Sequence, residues 1–90
     1  MSVKVSIPTI LRSITNNQKL VEVVGVNVLE AINQMDQQYP GIKEKLIAED
    51  QPHRFINIYV NDSDIRFCDG LQTNLKDGDA LTILPAVAGG

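Results

Sequence analysis

Apolar and polar residues alternate along most of this chain, and the alternation gives way to a helical spacing only once, between Asn27 and Tyr39. Period two belongs to strands with one buried face, and a period near 3.6 to a helix with one buried stripe. Val3, Val5 and Ile7 alternate with Ser2, Lys4 and Ser6 until Pro8 closes the run. After the polar turn Thr15-Asn16-Asn17-Gln18, Leu20, Val21, Val23 and Val24 resume an extended segment that ends at Gly25, so the first two strands form a hairpin. Asn27 is an N-cap with Glu30 three residues on, and Val28, Ile32, Met35 and Tyr39 recur at helical spacing before Pro40-Gly41 stops the helix. Residues 42–47 add a short amphipathic turn, and residues 48–52 are polar and carry no clear period. The strongest strand is residues 55–60, with Ile56, Ile58 and Val60 inward and Phe55, Asn57 and Tyr59 outward. Asn61-Asp62-Ser63-Asp64 reads as a turn into a short strand at 65–67. Lys76-Asp77-Gly78-Asp79 turns the chain into a last strand, 80–84, with Leu81 and Ile83 inward and Thr82 and Leu84 outward. One helix on one face of a mixed sheet of four to five strands, an α+β domain, satisfies the two-layer rule.

Composition narrows the function. Ninety residues support one core, because a chain this short buries only about 60–65% of its unfolded surface. Hydrophobic residues at 43% and charged residues at 21% give the balance of a domain that folds unaided. Eight Lys and Arg against eleven Asp and Glu, a net charge of -3 without a basic run, argue against nucleic acid as partner. The acids read as solvated surface first, and as a complement to a basic groove on a partner second. Cys68 is the only cysteine, which fits a reducing cytoplasm and excludes a disulfide framework and a four-ligand thiolate metal site. No signal peptide or membrane-spanning run is expected. His53 and Cys68 lack a third group that would make them base and nucleophile. Asp62, Asp64 and Asp69 lack the spacing of a calcium loop and read as solvated turn acids, so no metal is expected. Phe55, Tyr59 and Leu84 form a candidate partner surface, with partial burial of the aromatics under residues 9–17 as the plainer reading.

The end of the chain carries the chemistry. Leu84-Pro85-Ala86-Val87-Ala88-Gly89-Gly90 bears no charge except its own carboxylate. Gly89 and Gly90 have no Cβ and fit a channel too narrow for side chains, and residues 86–90 extend about 16–18 Å. Residues 1–85 are therefore read as the domain and residues 86–90 as a flexible tail, with Pro85, Ala86, Val87, Ala88 and Gly89 threading into a partner. A carboxylate must be activated before a nucleophile can displace its oxygen, and the chain has no Gly-rich phosphate loop with which to bind ATP itself.

The segment from Leu75 to Gly90, with its Asp-Gly-Asp turn, last strand, Pro85 and diglycine, resembles the MoaD/ThiS-type ubiquitin-like sulfur carriers of the β-grasp fold. The segments Val5-Ser6-Ile7-Pro8-Thr9-Ile10-Leu11-Arg12, His53-Arg54-Phe55-Ile56-Asn57-Ile58-Tyr59-Val60-Asn61-Asp62 and Thr82-Ile83-Leu84-Pro85-Ala86-Val87-Ala88-Gly89-Gly90 are similar to those of the actinobacterial members that supply sulfur for cysteine synthesis. The resemblance implies a non-catalytic carrier that binds no cofactor. A MoeB/ThiF-type enzyme would adenylate Gly90 with ATP and Mg2+, and sulfur would then be installed as a thiocarboxylate. It further implies a pyridoxal-phosphate-dependent cysteine synthase as acceptor and a metalloprotease that releases cysteine. The same residues leave open the small subunit of molybdopterin synthase, a thiazole-synthesis carrier, a ubiquitin-like modifier joined to lysines through Gly90, and a plain interaction module.

Overall fold

The structure is a computed structural model and describes residues 2–86. Strand β1 (Ser2–Ser6) pairs antiparallel with β2 (Leu20–Val24), in a register that sets Val5 opposite Val21 and Ser6 opposite Leu20. Between them lie a 3-10 turn, Thr9–Leu11, and a polar reversal in which Asn16 and Asn17 hold φ of 53° and 65°, a region asparagine tolerates. Buried Thr15 ties that reversal together by donating its hydroxyl to the Gln18 carbonyl at 3.0 Å.

Helix α1 (Val28–Gln38) starts where the cap places it. Asn27 Oδ1 accepts from Glu30 N at 2.8 Å, and Glu30 Oε1 accepts from Val26 N at 3.4 Å. Its stripe of Val28, Ala31, Ile32 and Met35 is buried. At the far end, Asp36 Oδ1 accepts from Gly41 N and Lys43 N, each at 3.1 Å, and so fixes the corner into α2 (Ile42–Leu46). Then come the two-residue strands β3 (Ile47–Ala48) and β4 (Gln51–Pro52), β5 (Ile56–Val60), β6 (Ser63–Asp64), 3-10 turns at Ile65–Phe67 and Gly70–Gln72, and β7 (Ala80–Pro85).

The main sheet runs β2-β1-β7-β5-β6, with β1 and β7 parallel and the other neighbours antiparallel. Val3, Val5, Val21, Val23, Leu81, Ile83, Ile56 and Ile58 present a buried face to α1, and Ile42, Leu46, Ile65 and Leu71 close the rim. This is the β-grasp arrangement expected, with five strands and one main helix on one face.

Two segments differ from the sequence reading. Residues 63–64 are strand rather than turn, and residues 65–67 are a 3-10 turn rather than strand. The cause is Asp64, whose Oδ1 accepts from Arg66 N at 2.8 Å and caps the tighter helix. Ile65 is consequently buried while Phe67 stands 86% exposed. Residues 47–52, without a period in sequence, form the separate β3–β4 hairpin.

Candidate functional site

Because β7 lies between β1 and β5, the chain leaves the domain from the middle of the sheet rather than from an edge. Ile83 faces Ile58, Leu84 faces Asn57, and Pro85 faces Ile56. Pro85 contributes no donor, and pairing resumes one residue later: Ala86 N donates to Phe55 O at 2.7 Å. Pairing with β1 ends at Thr82, so Pro85 and Ala86, read from the sequence as threading residues, are instead held along β5. Val87, Ala88, Gly89 and Gly90, which the sequence assigns to threading and to the reactive carboxylate, lie outside the described residues.

Of the candidate partner residues, Tyr59 and Leu84 share the sheet face turned away from α1 and line one shallow depression of about 260 Å3 with Asn61, Asp62 and Thr82. Leu84 is exposed and Tyr59 half-buried. Phe55 precedes β5 and is exposed, and its contacts are local. The His53 ring lies 5.2 Å from it, and the Arg54 guanidinium sits 5.0 Å from its centroid. His53 Nδ1 accepts from Phe55 N at 3.3 Å.

His53 and Cys68 are not brought together. His53 precedes the start of β5, whereas Cys68 follows β6, which pairs with the end of β5. The Cys68 thiol instead donates to the Asp64 carbonyl at 3.5 Å. Among the described residues no group of three or more His, Cys, Asp or Glu is placed to hold a metal ion. Asp64 is not the solvated turn acid expected. Its side chain is 8% exposed and meets Arg66 in an ion pair at 2.7 Å. The Arg66 side chain, bonded to both carboxylate oxygens, holds the Asp64 carboxyl below its ordinary value against the opposing effect of burial. A groove of about 420 Å3 on the helix side is bounded by Leu29, Lys43, Ile47, Asp50 and Leu71, remote from the tail root. No helix among the described residues is long and apolar enough to cross a membrane.

Sequence reasoning passed over Arg12, Lys19 and Arg54, which the fold gathers at the tail end of the sheet. Arg12 Nε donates to Ile7 O at 3.1 Å, just beyond β1. Lys19 precedes β2, and Arg54 precedes β5. The available signal was negative: no acid occurs between Val5 and Val21, between Gln51 and Asn61, or after Ala80.

Comparison with known proteins agrees with this geometry. A family model described as the ThiS family matches residues 5–90. The sulfur carrier protein CysO of Mycobacterium tuberculosis is 53% identical over 93 aligned positions that cover 100% of both chains. A chain in the crystal structure of the Amycolatopsis orientalis BexX/CysO complex is 58% identical, with a TM-score of 0.93 over 98% of this chain and 99% of that one. The small archaeal modifier protein 1 of Methanosarcina acetivorans is 30% identical, with a TM-score of 0.84 over 99% and 96%. A sequence that ends in Gly-Gly, a β-grasp sheet whose last strand is the central one, and full-length similarity to a carrier of this kind place this protein in the ThiS/MoaD family of ubiquitin-like sulfur carriers, which are not themselves enzymes.

Proposed function

We propose that the carboxylate of Gly90 is the cargo site, and that the sulfur it carries is used to make cysteine. The carboxylate attacks the α-phosphorus of ATP, pyrophosphate leaves, and an acyl adenylate results. Hydrosulfide then adds to the acyl carbon and AMP departs, leaving a thiocarboxylate and a proton. A persulfide donor would serve as the alternative sulfur source: its outer sulfur adds to the acyl carbon as AMP leaves, and a second thiol then cleaves the acyl disulfide, leaving the thiocarboxylate and a disulfide between the donor and that thiol. ATP and Mg2+ belong to a MoeB/ThiF-type activating enzyme, and the carrier itself binds no cofactor.

The thiocarboxylate sulfur, a better nucleophile than the carboxylate oxygen, adds to an aminoacrylate held by a pyridoxal-phosphate-dependent cysteine synthase. A metalloprotease hydrolyses the cysteinyl adduct and restores the carboxylate. Reaction in the cytoplasm suits an ATP-dependent step and a single free thiol. Full-length identity of 53% to a CysO carrier is the observation that supports this branch over the molybdopterin one. The body presents Leu84 and Phe55 beside the tail root, with Tyr59 further along β5 opposite Thr82, and Val87, Ala88 and Gly89 are the threading residues.

Intact-mass analysis of the protein from its native host tests the proposal. It should show a fraction heavier by the replacement of one oxygen with sulfur, and that increment should vanish when Gly90 is deleted. The likeness to an archaeal modifier supports one second reading, isopeptide linkage of Gly90 to lysines. That reading expects high-mass conjugates on denaturing gels in place of the sulfur increment.

A further inference from the structure

We infer that the free edge of β2 is a strand-docking site, and that it takes an extended segment of a partner protein, added antiparallel, in which one basic residue lies between two apolar residues at alternate positions. The site is separate from the chemistry proposed for Gly90, because β1 stands between β2 and the strand that carries the tail.

The main sheet ends in β2 on one side and β6 on the other. β6 is only Ser63–Asp64, and its Asp64 side chain is buried and paired with Arg66. β2 offers the five residues Leu20–Val24, paired to β1 along one side only. Ile7 N donates to Lys19 O at 2.9 Å, which fixes the phase of the β1–β2 ladder. Bonded and non-bonded positions alternate in an antiparallel pair, so Lys19, Val21 and Val23 turn their N–H and C=O groups toward β1. Leu20, Glu22 and Val24 turn theirs outward, and none of those groups finds a partner among the described residues. An open edge of this kind is a template for another strand.

Side chains select which strand fits. Leu20, Glu22 and Val24 lie on the sheet face turned away from α1, where Leu20 is 52% and Val24 57% exposed. Two apolar side chains therefore flank one exposed carboxylate. Lys4 stands opposite Glu22 on β1, and Asp77 borders the same shallow depression of about 240 Å3. The only ion pair among the described residues is Asp64–Arg66, so Glu22 has none. A basic side chain directly across from Glu22 on an added strand supplies one, and apolar side chains two residues to either side cover Leu20 and Val24. Lys19, just before β2, repels a second basic residue at that end. A second copy of this chain is the poorer occupant. Pairing β2 with itself about a two-fold axis sets Leu20 against Val24 but Glu22 against Glu22, and like charges directly opposite destabilise a ladder.

The test follows amide hydrogen exchange by NMR in the full-length protein, with a hairpin peptide as the probe. The peptide is closed by D-Pro-Gly and presents Val-Thr-Lys-Thr-Val on its outer strand, with Val, Lys and Val at the positions not bonded to its inner strand. A second peptide carries Glu in place of Lys. Forming the strand beforehand removes much of the ordering cost that a linear peptide would carry. With the Lys peptide, exchange should slow at the Leu20, Glu22 and Val24 amides and stay unchanged at Val21 and Val23, which already face β1. The Glu peptide should bind at least about threefold more weakly at low salt, and Glu22→Lys should reverse that order. Melting curves confirm folding of the variant, and Glu22→Gln should bind the two peptides alike.

Unchanged exchange at Leu20, Glu22 and Val24 with the Lys peptide at millimolar concentration, or equal affinity of both peptides for wild type and for Glu22→Lys, overturns the inference. Slowing at the same three amides when the protein is concentrated without peptide assigns the edge to a second copy and overturns it likewise. The readout does not involve Gly90, so failure here leaves the sulfur-carrier reading standing, and absence of a sulfur increment leaves the docking edge standing.

Discussion

Two glycines in this domain do different work, and substitution separates them. A Cβ on Gly25 would lie 2.7 Å from Ala31 N and 3.0 Å from Ala31 Cα, where the obstacle is helix backbone that cannot rotate away. Gly25→Ala should therefore cost about 1–3 kcal/mol, the range for overpacking. Gly78 meets nothing within 4 Å but holds φ at +89°. Gly78→Val should cost about 1–2 kcal/mol through backbone strain, and Gly78→Asn should recover much of it because asparagine tolerates positive φ. Gly25→Asn should recover nothing, and urea unfolding of the four variants reads the contrast. Asp64 supplies a pH signature at the same scale. Its folded value lies below the ordinary 3.8, chiefly through the Arg66 side chain. The pair's stabilisation is therefore complete above that value and is lost as pH falls through the lower folded one. Asp64→Asn should be less stable than wild type at neutral pH, and the gap should narrow below about pH 4 in acid-unfolding curves.

At the scale of elements, the legible parts of the chain were those where local chemistry and burial agree. Helix α1 could be read because Asn27, Glu30 and the stripe of Val28, Ile32 and Met35 all point to the same start and face. β5 and β7 were readable because each buries one face and leaves the other open. The β3–β4 hairpin was not, because Glu49 and Asp50 make its reversal at φ of 53° and 62° without glycine or asparagine, so the usual turn signal is missing. Residues 63–67 misled for the opposite reason. Their alternation suits a strand, but a side-chain cap from Asp64 outcompetes the ladder after two residues. On β7 the two faces should respond differently. Leu81→Ala, at a fully buried position, should cost about 2–5 kcal/mol, whereas Leu84→Ala should stay within about 0.5 kcal/mol. If Leu84→Ala nevertheless weakens binding to the activating enzyme, its exposure serves docking rather than folding.

For the whole molecule, the candidate site was legible in its chemistry and illegible in its surroundings. A charge-free diglycine end can be read directly from residues 84–90. Arg12, Lys19 and Arg54 come to the end of the sheet from which the tail leaves through three pairings together, β1 with β2, β1 with β7 and β5 with β7. The same topology divides stability from chemistry. Every buried hydrophobic side chain among the described residues falls between Val3 and Ile83, so the terminal glycine contributes nothing to the core that is described. Gly90→Ala should accordingly leave the melting temperature unchanged within error. The added methyl should collide with a channel fitted to bare backbone and abolish sulfur loading by the activating enzyme. Loading assays with ATP and sulfide, run beside melting curves, decide it: a Gly90→Ala protein charged as fast as wild type would move the reactive site away from the terminal glycine.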